Sequence, residues 1–230
     1  MIEHGATAVW LAAPQRRVGV SLKMYMDHAR TLQWLAEVAA LEVPSGVELF
    51  VIPDFLSLYP AAAVLAGSAI KLGAQDVFWE DRGAYTGEIS APMLVAAGCR
   101  YVEIGHAERR ALFAESDIVV AAKAAAAVRA GLVPLLCVGE PERGDAEAAV
   151  RFCRAQIEAV LSAIPEAAEP RVAYEPVWAI GAAEPAGADH IRAVRPGRPR
   201  SLPGAPAPMP SAGRAGAGPL HAPVGRLGSV

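Results

Sequence analysis

Between residues 18 and 175, short β-branched and apolar runs alternate with longer segments whose apolar residues recur every three or four positions. Residues 18–23, 48–52, 70–75, 101–104, 132–137 and 171–175 read as strands. Residues 31–40, 60–66, 91–97, 118–130 and 145–162 read as helices, with Leu35, Val38 and Ala39 sharing a face of the first. In the last helix Ala149, Phe152, Cys153, Ile157, Val160 and Leu161 recur at 3.6-residue spacing. Strands alternating with helices in this way predict a parallel sheet joined by right-handed crossovers, its strands nearly continuously apolar because both faces are covered. A (β/α)8 barrel and a doubly wound sheet both satisfy the pattern. No GxGxxG follows the first strand and no GxxxxGK[ST] occurs, which weighs against nucleotide-binding versions.

Composition narrows the class. The chain has 230 residues, 53% hydrophobic and 20% charged, which excludes a wholly disordered chain and allows a sizeable core. No run of about 18 apolar residues occurs, so no membrane span is expected. The start, Met1-Ile2-Glu3-His4, lacks the basic region of a signal peptide. Cys99, Cys137 and Cys153 are widely spaced and odd in number, so neither a disulfide framework nor a metal site is expected, and a reducing cytoplasm is the natural location.

The net charge of −3 conceals an asymmetry. Every Asp and Glu lies at or before Asp189, so residues 1–195, with 17 basic and 24 acidic residues, carry −7. Residues 196–230 contain 8 Pro, 7 Gly, 6 Ala and 4 Arg and no acid. Such a segment has too few bulky apolar side chains to offset the entropy of ordering it. Two domains are therefore expected, residues 1–195 as an incomplete barrel and 196–230 as a Pro/Gly/Ala/Arg-rich tail. Ala, Gly, Pro and Arg are encoded by codons of G and C alone, so a GC-rich gene read out of frame produces such text; a genuine disordered tail is the alternative. Four scattered Arg form no patch, and no nucleic-acid partner is expected.

Chemistry-bearing residues gather at the C-terminal ends of the predicted strands, where barrels of this kind build active sites. Lys23 ends the first and Gln75 the third, His106 follows the fourth, Cys137 and Glu140 the fifth, and Glu175 ends the sixth. Any one of them alone reads as a surface or core residue; their common end of the sheet does not. The segments Leu22-Lys-Met24, Gly73-Ala-Gln75, Gly83-Ala-Tyr-Thr-Gly-Glu-Ile-Ser90, Ile104-Gly-His-Ala-Glu-Arg-Arg110, Cys137-Val-Gly-Glu140 and Tyr174-Glu-Pro-Val-Trp-Ala-Ile-Gly181 resemble the triosephosphate isomerase family, in its order and spacing. The resemblance covers residues 18–191 and implies a (β/α)8 TIM barrel with strands one to six recognisable and the last two βα units missing or replaced.

The resemblance implies an isomerase that interconverts dihydroxyacetone phosphate and glyceraldehyde 3-phosphate through an enediolate, with a small sugar phosphate as substrate and no metal or organic cofactor. Glu175 is then the carboxylate base at the root of a mobile 176–184 loop whose closure excludes water. His106 is the electrophile, a neutral imidazole at a helix N-terminus in the established picture of triosephosphate isomerase itself. Lys23 supplies fixed positive charge, and Glu108 resembles the acid that pairs with it. Ser21 and Gly181 fall at substrate-binding positions, the latter offering a backbone N–H. Cys137, Gln75, Glu140 and Arg109 fall in supporting positions, with Gln75 and Arg109 near a subunit interface. Residues 76–88 resemble the family's long third loop, Thr86 matching the residue that reaches the neighbouring site, which implies a homodimer; the aromatic content of Phe78, Trp79 and Tyr85 suits burial there.

Ser21, Leu22, Tyr25, Ala107 and the loop tip Gly181-Ala-Ala-Glu184 depart from the family pattern. The shorter Ser21 shifts the reach of its hydroxyl and suggests a four-carbon sugar phosphate, such as erythrulose phosphate, as an alternative substrate. Nothing after Ile191 matches the family's last two strands and their phosphate-holding glycines. Six strands leave two sheet edges open, so the chain as written is expected to be a poor enzyme. A non-catalytic remnant is the rival from another class.

Overall fold

A computed structural model describes residues 16–194; the readings of the N-terminal start and of the 196–230 tail lie outside the described residues. Six parallel strands run in sequential order, β1 (Arg16–Ser21), β2 (Val47–Ile52), β3 (Lys71–Ala74), β4 (Cys99–Ile104), β5 (Val133–Val138) and β6 (Arg171–Tyr174). The helices between them are α1 (His28–Ala39), α2 (Leu58–Val64), α3 (Ala91–Ala96), α4 (Ala107–Leu112), α5 (Asp117–Arg129) and α6 (Ala146–Leu161), with α7 (Ala188–Val194) after β6. A doubly wound sheet reverses its strand order at a switch point. Here neighbours in sequence are neighbours throughout, from Arg16↔Val47 in the first pair to Val138↔Tyr174 in the last. The architecture is a partial (β/α)8 barrel, a curled sheet of six strands with helices on its outer face.

Local signals set the helix starts. Asp27 caps α1 by accepting from the Arg30 N–H at 2.8 Å, and Asp145 caps α6 through the Ala148 N–H at 2.7 Å. α2 begins two residues before the predicted start because a 3-10 turn at Phe55–Ser57, capped by Asp54, runs directly into it. Pro60 thus sits in the first turn, where its missing N–H has no intrahelical partner to lose.

The strands alternate between two cores. Val51, Val102, Ile104, Leu136 and Val138 pack outward against Leu35, Leu94, Val120 and Val160 of the helices. Phe50, Ile52 and Tyr101 point inward with Val133 and Leu135, and the Phe50 and Tyr101 rings lie 4.7 Å apart. The expectation that every strand is covered on both faces fails at β1. Val18 is 51% exposed and Val20 41% exposed, because β1 ends the sheet among the described residues and no helix there covers its outer face.

Several predicted boundaries shift by one or two residues, with chemical consequences. Lys23, Gln75 and Glu175 lie just beyond the ends of β1, β3 and β6, and Cys137 lies inside β5 instead of after it. The β6 exit is set by Gly139. The Glu175 N–H donates to the Val138 carbonyl at 2.9 Å, bringing that backbone so close that a Cβ on Gly139 would lie 1.9 Å from the Glu175 carbonyl oxygen. Gly139→Ala is therefore expected to cost about 3 kcal/mol, the upper end for overpacking. Gly144→Ala, where an added Cβ meets nothing within 4 Å, should stay within about 0.5 kcal/mol, both read from urea unfolding midpoints.

Candidate active site

The strand C-terminal ends surround two adjoining cavities, of about 680 and 350 Å³, whose shared lining includes Ser21, Lys23, Glu103 and His106; Glu175 lines the larger. Lys23 follows β1 in a left-handed conformation (φ 48), a strained backbone for a residue with a Cβ and common where a site fixes a side chain. The Gln75 side-chain amide donates to the Lys23 carbonyl at 2.9 Å, tying the end of β3 to that turn. The Lys23 ammonium meets a Glu108 oxygen at 2.7 Å. Burial opposes the charge on Lys23, but Glu108, with Glu175 behind it, outweighs that and holds the ammonium pKa above its ordinary value. The hydrogen bond from Lys23 holds the Glu108 carboxyl below the usual range.

His106 is the N-cap of α4. Its Nδ1 accepts the Glu108 backbone N–H at 3.1 Å, so the ring proton sits on Nε2. Nε2 lies 4.0 Å from Oε2 of Glu175, too far for a direct hydrogen bond, and both lie on the larger cavity. The imidazole is buried while the Glu175 side chain is half exposed.

The supporting residues form three networks. Cys137, buried on β5, donates its thiol to Oε1 of Glu103 at 3.5 Å; burial first, then the charge of Glu103, pushes its pKa well up, so it remains a thiol. Glu140 accepts from Trp178 Nε1 at 2.8 Å and from Tyr174 at 3.0 Å and contacts His190 at 3.0 Å, fastening the chain that follows Glu175. Burial raises the Glu140 pKa, but these donors outweigh it and bring it below the ordinary value. Arg109 contacts Asp76 at 2.8 Å and also bonds Glu115, and the buried Lys123 bridges the same two carboxylates. Lys123 and Glu115 carried no periodic or motif signal that joins them, and Glu103 reads in sequence as one residue of an apolar strand; its acid at an inward-facing position was the available clue.

Thr86 and Gly181 are exposed in turns, Gly181 at φ 70, and neither lines the two cavities. The loop carrying Thr86 packs its aromatics on themselves, Phe78 at 4.0 Å from Trp79 and 4.7 Å from Tyr85, and Arg129 pairs with Asp81 at 2.8 Å. Cys99 and Cys153 are buried in the outer core as free thiols, their pKa values pushed up by burial to about 12 and about 11. Among the described residues no helix is long and apolar enough to cross a membrane, and no group of three or more His, Cys, Asp or Glu is placed to hold a metal ion.

The family model for triosephosphate isomerase matches residues 16–196, and the chain belongs to that family. It is 47% identical over 186 residues to the L-erythrulose-1-phosphate isomerase of Pectobacterium atrosepticum, covering 77% of this chain and 72% of that protein. It is 45% identical over 148 residues to the triosephosphate isomerase of Aquifex aeolicus, covering 64% of this chain and 60% of the relative. With that of Azoarcus sp. the identity is 56% over 130 residues, 54% of this chain and 52% of the relative. The chain thus spans less than two thirds of the length of the latter two.

The Lys23–Glu108 pair predicts a pH dependence. Glu108 has a lowered folded pKa, so its contribution is present above the ordinary value of 4.5 and is lost as pH falls through the lower folded value. Lys23 has a raised folded pKa, so its contribution is present below the ordinary value of 10.5 and is lost only as pH rises beyond it. The stability difference between the unaltered chain and Glu108→Gln should be flat from pH 6 to 9 and shrink below about 4.5, in urea titrations at low salt.

Proposed function

We propose that this chain carries the site of a sugar-phosphate isomerase that moves a carbonyl between adjacent carbons through an enediolate. The observation that supports it most is the fixed tautomer of His106, Nε2–H toward the cavity, 4.0 Å from the Glu175 carboxylate. Glu175 takes the proton from the carbinol carbon beside the carbonyl while His106 donates its Nε2 proton to the carbonyl oxygen. The resulting enediol then gives the proton of its original carbinol hydroxyl to His106, and Glu175 delivers the carbon proton to the former carbonyl carbon, so atoms and electrons balance without an oxidant. Lys23 offsets the negative charge that develops, held in place by Glu108 and by Gln75 at its carbonyl. Closure of the 176–184 segment brings the Gly181 N–H toward the phosphate.

The substrate implied by the family is the three-carbon pair dihydroxyacetone phosphate and glyceraldehyde 3-phosphate. A four-carbon ketose phosphate is the second reading, favoured by the hydrogen bond that takes the Ser21 hydroxyl to Glu103 at 2.9 Å. We place the reaction in the cytoplasm. Glu175→Gln should lower turnover of either substrate by about 10³-fold while leaving the dissociation constant within a few-fold. Solvent deuterium entering the substrate carbon, followed by NMR with the 230-residue chain, measures it; equal exchange in the variant would overturn the assignment.

The same reading includes a homodimer. Met24, Leu112 and Phe113, each at least 63% exposed, line the smaller cavity, an apolar rim of the kind that marks an interface. The occupant is the 76–88 loop of a second copy, with Thr86 at its tip. Light scattering after gel filtration should give twice the 23.9 kDa chain mass, and Phe113→Glu should return it to one.

A further inference from the structure

The site contains a carboxylate that the proton transfers do not use. Glu103 stands on the inner face of β4, 8% exposed, lining both cavities beside Lys23 and His106. It forms no ion pair with any described residue; its oxygens accept instead from the Ser21 hydroxyl at 2.9 Å and the Cys137 thiol at 3.5 Å. An unneutralised carboxylate at the edge of a phosphate-ester site repels the substrate's charge, so its presence needs a chemical reason.

The donor and acceptor inventory supplies one. Carboxylate oxygens only accept, and the Ser21 proton is committed to Glu103, so Ser21 shows the cavity lone pairs alone. Carbonyl, phosphate and enediolate oxygens are acceptors too, and none of them can bond to this wall. A sugar hydroxyl can. A three-carbon ketose phosphate carries a hydrogen on the carbon that loses its proton where a four-carbon ketose phosphate carries a hydroxymethyl group, and that group brings one additional donor.

Resting on the second, four-carbon form of the isomerase reading above, we propose that Glu103 and Ser21 form a hydroxyl-reading subsite that makes the site select a four-carbon ketose phosphate over a three-carbon one. Glu103 does so as a specificity residue, accepting the terminal hydroxyl directly or through the Ser21 oxygen that it orients. The carbonyl shift is unchanged in kind; with the four-carbon substrate the product is again a ketose.

The test measures kcat/KM and, by isothermal titration, Kd for dihydroxyacetone phosphate and erythrulose 1-phosphate with the 230-residue chain, Glu103→Gln and Ser21→Ala. Circular dichroism establishes that each folds, and Ser21→Ala, a smaller change, carries the test if Glu103→Gln does not fold. The unaltered chain should favour the four-carbon compound, and the four-carbon to three-carbon ratio should fall about tenfold or more in each variant, the size of one lost hydrogen bond to a charged group. A ratio unmoved by both substitutions, or no preference in the unaltered chain, overturns the subsite and leaves the isomerase reading standing. Binding of neither compound by the unaltered chain overturns the isomerase reading, and the subsite with it.

Discussion

β1 and β4 are separated by three strand spacings, about 14 Å along a sheet at about 4.8 Å per spacing. Yet Ser21, at the end of β1, hydrogen-bonds Glu103 of β4 at 2.9 Å, and Lys23 meets Glu108 just past β4 at 2.7 Å. A serine side chain and a glutamate side chain cannot bridge a flat sheet over that distance. The contacts exist only because the sheet curls, and the curl follows from right-handed strand twist acting on strands laid down strictly in order. The geometry of the site depends on this curvature, because it converts six separate strand ends into one concave wall. The inward side chains reinforce it: Gly19 leaves room for the Phe50 ring, whose atoms would lie 2.0 Å from any Cβ there.

Curvature also determines the local charge. Glu103, Glu108 and Glu175 converge near Lys23, while the other cation on the smaller cavity, Arg109, is engaged by Asp76 and Glu115. Arg109 and Lys123 balance those two carboxylates one for one, so this buried cluster is close to neutral and holds the root of the 76–88 loop against α4 and α5. Asp76 nevertheless has a raised pKa, because burial outweighs the attraction of Lys123. The cluster sits next to Gln75, which bonds the Lys23 carbonyl, so loop anchoring and Lys23 placement share one short stretch of chain.

Hydrophobic period located the six strands and five of the helices because burial on both sides of a sheet leaves a strong imprint. It could not choose between a barrel and a doubly wound sheet, since both bury strands alike; strand order alone distinguishes them. α4 escaped because Ala107–Leu112 is six residues with adjacent arginines and no apolar stripe, its start set by the His106 ring bonding a backbone N–H. α7 escaped as well, its seven residues being too few to show a period although Val194 is buried. The motif residues His106, Glu175 and Lys23 were legible through their places at strand ends and the resemblance of their segments to the family, and all three line one cavity. Glu103 was not, because its meaning comes from partners 82 and 34 residues away that only the curled sheet brings near. The Glu140 cluster with Tyr174, Trp178 and His190 is a second case, assembled over separations of 34 to 50 residues.

Two kinds of support therefore hold two kinds of function. The pair proposed to transfer protons is positioned by backbone, His106 through the Glu108 N–H and Glu175 through its close approach to Gly139. The proposed hydroxyl-reading wall is built from side chains within the last two residues of β1, β4 and β5, Ser21, Glu103 and Cys137. A change in that wall alters which oxygen or hydroxyl is welcome while leaving the backbone contacts of the reacting groups in place. Under the proposed roles, this separation gives a physical route by which one barrel moves between three- and four-carbon substrates: His106 and Glu175 sit just beyond the strand ends, and the Ser21–Glu103–Cys137 wall sits at the strand ends below them.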